Sequence, residues 1–491
     1  MEHYDLCVIG GGPSGYAAAM RAVDFGRSVL LLERDRIGGA GLYNGALSSK
    51  TFWELSKEIA QLRTRFEAYH AALPEVHFGS ILKETDEAVF ERSAQLEEHL
   101  RQVEAEQGER FRFVRGTGCM LSPTEIEVRG DFDPFTVQAD HTIIATGSRP
   151  RKLPNVPIDE HIILTSDGIG SLRDFPESLV IIGAGVIGCE FATIFSNFGK
   201  TQVQLIARDD RILPFEDAEL SGVIEQNMLA KGVVIHRNAS LDGMDIVDGR
   251  VEYTLAHKDG TTEAFEAEKA LISIGRVPNI ENTGVRELGV ALDRGGTIDD
   301  TQTQTSLPNL YAVGDITADI ALVNVGELEG RYAVERIFGQ PDRPLIYENI
   351  STIMFLDPEV AGVGMNEQQA QKAGIAYRSA SFDFRCVPRA IAMRKTQGFF
   401  KILVSDDEEM RILGMRALGE HASTAIQAVS LLISMNRGIR ELAELIHPHP
   451  SIIEGIQECA RMLLGTSIYK PHLFPQHLRS RYWRDGEYRS P

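Results

Sequence analysis

Apolar residues along this chain gather into short runs, separated by glycine-rich turns and by stretches with helical spacing. Tyr4 to Ile9 is an apolar run of strand length, and Ser28 to Leu32 is a second. Between them Gly10-Gly11-Gly12-Pro13-Ser14-Gly15 leads into Tyr16-Ala17-Ala18-Ala19, which opens a helix. Strand, glycine turn, helix and strand in that order predict a βαβ unit. The pattern recurs at Leu179 to Ile182, followed by Gly183-Ala184-Gly185-Val186-Ile187-Gly188, a helix, and the strand Gln202 to Ile206. Two such units far apart are a duplicated architecture, not a short-period repeat.

Between the units, Val89, Ser93, Leu96, Leu100 and Val103 recur at 4-3-4-3 spacing, and Gly108 ends the pattern. This predicts a helix packed on the sheet, with a short coiled coil as the competing reading. The final third changes character. The runs Gly398 to Val404 and Arg411 to Gly414 read as strands, and Ser423 to Ser434 as a helix, which together predict an α+β domain. From Lys470 onward the residues are rich in Arg, Tyr and Pro without a clear period, which predicts an extended arm or a disordered tail.

Each glycine turn carries a chemical expectation. In Gly10-x-Gly12-x-x-Gly15 the first glycine permits the tight turn, the second lets a pyrophosphate approach the backbone, and the third packs helix on sheet. Glu33, eighteen residues past Gly15, ends the second strand. A carboxylate there can accept both ribose hydroxyls of an adenosine. The second turn, Gly183-x-Gly185-x-x-Gly188, lacks that acid: Ala207 and Arg208 follow its second strand. A guanidinium there can fork onto the 2′-phosphate of NADP, and otherwise Arg208 is a solvated surface cation.

Further segments carry a family resemblance. They are Gly38-Gly39-Ala40-Gly41-Leu42-Tyr43-Asn44-Gly45-Ala46-Leu47-Ser48-Ser49-Lys50, Ala145-Thr146-Gly147-Ser148, Gly275-Arg276-Val277-Pro278-Asn279, and Leu310-Tyr311-Ala312-Val313-Gly314-Asp315. Asp357 to Gly364 and His447-Pro448-His449-Pro450-Ser451-Ile452-Ile453-Glu454 continue the series. In this order they resemble the pyridine nucleotide-disulfide oxidoreductases, of the dihydrolipoamide dehydrogenase type. The resemblance implies an α/β fold with two Rossmann-like dinucleotide-binding domains, for FAD and NAD(P), plus a C-terminal α+β dimerisation domain, in a homodimer. The implied division is 1–150 and 281–348 for FAD, 151–280 for NAD(P), 349–470 for the interface and 471–491 for the arm. Cofactor contacts are implied for Gly10, Gly12, Gly15, Glu33, Gly41, Lys50, Thr146, Gly147, Gly314 and Asp315, and for Gly183, Gly185, Gly188, Arg208 and Gly275.

The resemblance also exposes a departure. The two positions where the family carries its redox-active cysteines hold Gly41 and Ala46. Lys50 and Glu190 match positions that form an ion pair beside the flavin, where a cation stabilises charge gained on reduction. His449 and Glu454 match a base and its orienting acid, contributed across the dimer, which here either serve a different reduced product or persist for interface packing.

The five cysteines are scattered without metal-ligand spacing, as expected of free thiols in a reducing cytoplasm. A formal net charge of -20 argues against nucleic-acid or anionic-membrane partners. No basic leader and no long apolar stretch is seen, so the expectation is a soluble cytoplasmic enzyme without a metal. The functional expectation is an NAD(P)H-oxidising flavoprotein that passes electrons to a small, diffusible acceptor of quinone type. The alternatives are a soluble pyridine nucleotide transhydrogenase and a non-catalytic, flavin-holding structural or regulatory protein.

Overall fold

A computed structural model describes residues 1–72 and 74–489. The chain forms two compact units, one of Met1–Leu179, Gly243–Thr254 and Ala264–Leu345, the other of Val180–Asp242, Leu255–Glu263 and Ile346–Pro491.

The first unit is built on a sheet whose central strand is β1 (Glu2–Ile9), flanked in parallel by β2 (Val29–Glu33) and by the long strand Phe132–Ile144. Alternate residues of β1 enter different cores. Leu6 and Val8 join Ala18, Ala19, Leu31 and Phe111 on the helical face. Cys7 and Ile9 join Leu30, Leu32, Ile126 and Val128 on the other. A strand covered on both faces reads as a continuous apolar run, which is how Tyr4 to Ile9 appeared in the sequence. Helix α1 (Pro13–Asp24) follows β1, with Pro13 in its first turn. The 4-3-4-3 pattern lies on a helix over Phe78–Gln107, where Leu100 is buried and Leu96 and Val103 pack on the core formed by Leu6, Val8 and Leu31. Packing on the sheet is therefore the reading that holds.

In the second unit, the strand Ser178–Ile182 leads through the second glycine turn into the helix Val186–Phe198 and then to the strand Gln202–Ile206. That strand pairs in parallel with Val234–His236. The C-terminal part forms a seven-stranded sheet in the spatial order Thr352–Met354, Val360–Gly364, Ile412–Leu418, Phe399–Ser405, Tyr377–Asp383, Leu478–Arg484, Glu487–Arg489. Phe382, Phe400, Ile402 and Met415 meet Ile456 and Cys459 of the helix Glu454–Leu463 in its core.

Two expectations change. The segment Ser423 to Ser434 is two short helices, Ala422–Ala425 and Gln427–Ser434. The segment after Lys470 is not a disordered tail but an extended segment built into the sheet: Leu478–Arg484 pairs antiparallel with Tyr377–Asp383 and turns back into Glu487–Arg489. Only Leu478 and Trp483 of that strand are buried, so it has almost no apolar alternation to read. Ser490 and Pro491 of the expected arm lie outside the described residues. Among the described residues, no helix is long and apolar enough to cross a membrane.

Candidate functional site

The three glycines of the first turn have three different surroundings. Gly10 has φ +116°, a left-handed value that disfavours any side chain. A Cβ at Gly15 would land on the Gly10 carbonyl oxygen, so helix and turn touch through bare backbone. A Cβ at Gly12 would meet nothing within 4 Å. Gly12 also caps α1 without a side-chain hydrogen bond, leaving the first N–H groups of the helix available. Open space beside free N–H groups at a helix start is what a pyrophosphate requires. Glu33 lies at this mouth: its Oε2 accepts the Gly11 N–H at 2.7 Å and its Oε1 the Asp35 N–H at 2.8 Å.

The loop after β2 is tied to the same turn, since the Gly38 N–H donates to the Gly11 carbonyl at 2.8 Å. Gly39–Gly41 form a single helical turn, and the helix Ala46–Ala68 begins at Ala46. A Cβ at Gly41 would stand 2.6 Å from Cγ of Pro13. At Gly45 it would strike the Ala40 carbonyl, so this close approach admits only glycine. The Tyr43 ring is covered by the Arg36 guanidinium, 3.8 Å from its centroid. Lys50 is half-buried on the first turns of the helix, its Nζ 3.2 Å from Ser49 Oγ.

Asp315 follows Gly314, which has φ +74°. Its Oδ2 accepts the Ser148 hydroxyl at 2.7 Å, and the Ser148 Oγ in turn accepts from Arg276 Nε at 2.7 Å. Thr146 and Asn279 lock together, the Thr146 hydroxyl donating to the Asn279 carbonyl at 2.7 Å and the Asn279 amide to the Thr146 carbonyl at 3.0 Å. Gly147 and Gly275, beside these groups, have φ +67° and +103°. The sequence reading missed Glu329, a buried carboxylate on the helix Val323–Phe338 that accepts the Gly314 N–H at 2.6 Å. It also missed the orienting role of Ser148 and Arg276. A buried acid in a polar helix carries no local signal.

In the second unit the glycine turn repeats the geometry. Gly183 has φ +110°, a Cβ at Gly185 would meet nothing within 4 Å, and Gly185 caps its helix without a side chain. Gly188 is buried in the helix. Arg208 is exposed past the end of the strand Gln202–Ile206. Glu190 is buried and accepts the Phe355 N–H at 3.0 Å.

The predicted acid–base pair is formed within the same unit. His449 Nδ1 lies 2.6 Å from Glu454 Oε1, and Glu454 Oε2 accepts the Ser451 N–H at 3.0 Å. A carboxylate accepts, so the proton between them belongs to Nδ1, and Nε2 is the nitrogen left for proton exchange. His449 is 70% exposed, which leaves Nε2 facing outward.

These features meet in one family. Residues 4–330 match the model for the pyridine nucleotide-disulphide oxidoreductases, and residues 350–460 match that family's dimerisation domain. The chain belongs to the pyridine nucleotide-disulphide oxidoreductase family. It is 33% identical over 467 residues to a dihydrolipoyl dehydrogenase of Geobacillus stearothermophilus, spanning 95% of this chain and 97% of the relative. It is 32% identical over 474 residues to that of Chlamydia muridarum, spanning 96% and 99%. The crystal structure of LpdA from Mycobacterium tuberculosis superposes with a TM-score of 0.85 at 27% identity, covering 94% of this chain and all of that one.

Membership makes the chain a flavin-dependent oxidoreductase of a family whose dihydrolipoyl dehydrogenases use FAD and NAD(H). The two uncapped helix starts and the two open glycines fit two dinucleotides. The dimerisation domain supports a homodimer. All five cysteines are free. Burial pushes the Cys7 thiol up to about 12, and also raises Cys189 and Cys459, which are fully buried, and Cys119 and Cys386, which are partly so.

Proposed function

We propose that this chain oxidises NAD(P)H and delivers the electrons directly to a diffusible, quinone-type acceptor, without a protein disulfide in between. The observation that carries the reading is the residue pair Gly41 and Ala46, where the family resemblance calls for cysteines. The thiols elsewhere are no substitute: burial raises all five, and exchange with a disulfide needs a thiolate.

FAD held by Gly10, Gly12, Gly15, Glu33 and Asp315 would supply the two-electron chemistry. Gly183, Gly185 and Gly188 would bind the nicotinamide dinucleotide through their turn, with Arg208 at its 2′-phosphate. Lys50 would hold positive charge beside the flavin, and Glu190 is its proposed partner by resemblance. His449, as an imidazolium with a proton on each ring nitrogen, would deliver the Nε2 proton to the reduced acceptor and be left as the neutral imidazole whose Nδ1–H donates to Glu454. Ala46, with only a methyl, would leave room for a flat acceptor, whereas the side-chain space at Gly41 is taken by Pro13, and Tyr43 is engaged with Arg36.

The test is Ala46→Phe in the purified holoenzyme. Quinone turnover should collapse while NAD(P)H still reduces the flavin at its normal rate. Surviving quinone turnover would move the acceptor to the nicotinamide side and favour transhydrogenation. Lipoamide or glutathione disulfide turned over as fast as quinones by the unmodified protein would overturn the reading. Flavin that NAD(P)H does not bleach anaerobically would indicate a non-catalytic protein.

A further inference from the structure

The C-terminal strand Leu478–Arg484 lies beyond the residues matched by the dimerisation model. Its register places Arg479 opposite Ser381, Ser381 opposite Lys401, and Lys401 opposite Arg416. These four residues form one row across the sheet and face one side. Ser381 is the small member between two cations.

Lys401 is 2% exposed, and its ammonium is ringed by three carboxylates. Asp217 Oδ1 is at 2.9 Å, Glu219 Oε2 at 2.8 Å and Glu367 Oε2 at 2.9 Å. Burial opposes charge on this ammonium, but Asp217, Glu367 and Glu219 outweigh it and raise its pKa. One ammonium leaves two of the three acids unbalanced, a costly arrangement away from water. The C-terminal strand provides the missing cations: Arg479 pairs with Glu219, and Arg481 reaches Glu367 at 3.8 Å.

The acids so held are the far anchor of the loop that follows the strand Gln202–Ile206. Asp217 caps the helix Ala218–Ala230 by accepting the Glu219 and Leu220 N–H groups. Glu216 pairs with Arg416, Nε to Oε1 at 2.5 Å. Arg211 donates to the Glu216 carbonyl at 2.9 Å and to the Pro214 carbonyl at 2.6 Å. The Leu213 N–H then donates at 2.9 Å to the carbonyl of Ala184, inside the second glycine turn. A continuous set of bonds thus runs from Arg479 to the proposed nicotinamide-binding turn, and the loop it crosses begins at Arg208.

We propose that Arg479 and Arg481 are positioning residues for nicotinamide binding: by neutralising the Asp217–Glu219–Glu367 cluster they hold the 208–217 loop against the second glycine turn. This rests on nicotinamide use and not on the identity of the acceptor, so it stands or falls separately from the quinone reading.

The test compares the holoenzyme with Arg479→Gln/Arg481→Gln and with Arg479→Lys/Arg481→Lys. The glutamine pair should raise KM for NAD(P)H by roughly five- to tenfold and leave kcat for flavin reduction within about twofold. Flavin content should not change. The lysine pair, keeping both charges, should return KM to within about twofold of the unmodified protein. An unchanged KM, or a rise that the lysine pair does not reverse, would overturn the proposal. If the glutamine pair does not fold, Arg481→Gln alone decides it, through quenching of flavin fluorescence by NAD+ and NADP+. A weakened affinity of roughly twofold supports the proposal, and an unchanged affinity overturns it.

Discussion

The first and second glycine turns are the same device with different supports. Both have a left-handed first glycine, an open second glycine and a helix start without a side-chain cap. The first is completed within a few dozen residues, by Glu33 accepting the Gly11 N–H. The second has no such acid, and the loop leaving its strand is steadied by residues hundreds of positions away, through Lys401, Arg416 and the C-terminal strand. Local sequence therefore supplies the acid of the first turn, while the rest of that site comes from Thr146, Ser148, Arg276 and Asp315 far along the chain. The second is defined locally only as a backbone shape.

The comparison breaks most visibly at the closest backbone contact. Gly15→Ala puts a methyl on the Gly10 carbonyl, so the variant should be isolated without flavin, read by its absorbance spectrum. Gly185→Val is the contrasting change, because open space surrounds that position. It should fold, stay yellow, and lose flavin reduction by NAD(P)H on the order of 100-fold in a stopped-flow assay. A colourless Gly185→Val would mean that the two sites are not independent.

Arg208→Ala sharpens the difference at the second site. Loss of a charge-assisted contact to phosphate should cost about 1–3 kcal/mol for NADPH and little for NADH. Equal changes in both Michaelis constants would make Arg208 a surface cation. At the first site, Glu33→Gln turns an amide N–H toward one of two backbone donors. FAD affinity should fall about tenfold, measured by fluorescence recovery on release.

Acid gives the smallest effect. Burial raises the Glu219 carboxyl, but Lys401 and Arg479 outweigh it and hold the value below the ordinary 4.5. A depressed folded-state value means that the stabilisation is present above 4.5 and fades as pH falls through the lower, folded value. Nicotinamide affinity should therefore weaken severalfold between about pH 5 and pH 3 before flavin is released. Flavin loss preceding nicotinamide loss would contradict the placement of this cluster.

The most legible parts were the glycines and the strands they follow, because a positive φ or a backbone contact leaves one residue type and a fixed spacing. The His449–Glu454 pair was also visible, five positions apart and bonded as expected. Glu329 was not, since its partner is the Gly314 N–H and its own helix gives no hint of burial. Lys401 is the one charged residue in the apolar strand Phe399–Ser405, and a lysine in such a strand ordinarily points to solvent. The tail looked structureless because only Leu478 and Trp483 of its strand are buried, and Arg479 and Arg481 between them meet acids and not apolar neighbours.

From the sequence alone came the two dinucleotide turns, their order, and the absence of cysteine at positions 41 and 46. These are properties of backbone conformation and side-chain chemistry within short windows. Which charges meet was decided only by tertiary structure. Lys401 and Asp217 are 184 residues apart and Arg416 and Glu216 are 200 apart, and nothing local prepares either pair. The physical reason is range: a turn is specified by steric limits on its own residues, whereas a buried ion becomes tolerable only when a distant segment brings the opposite charge.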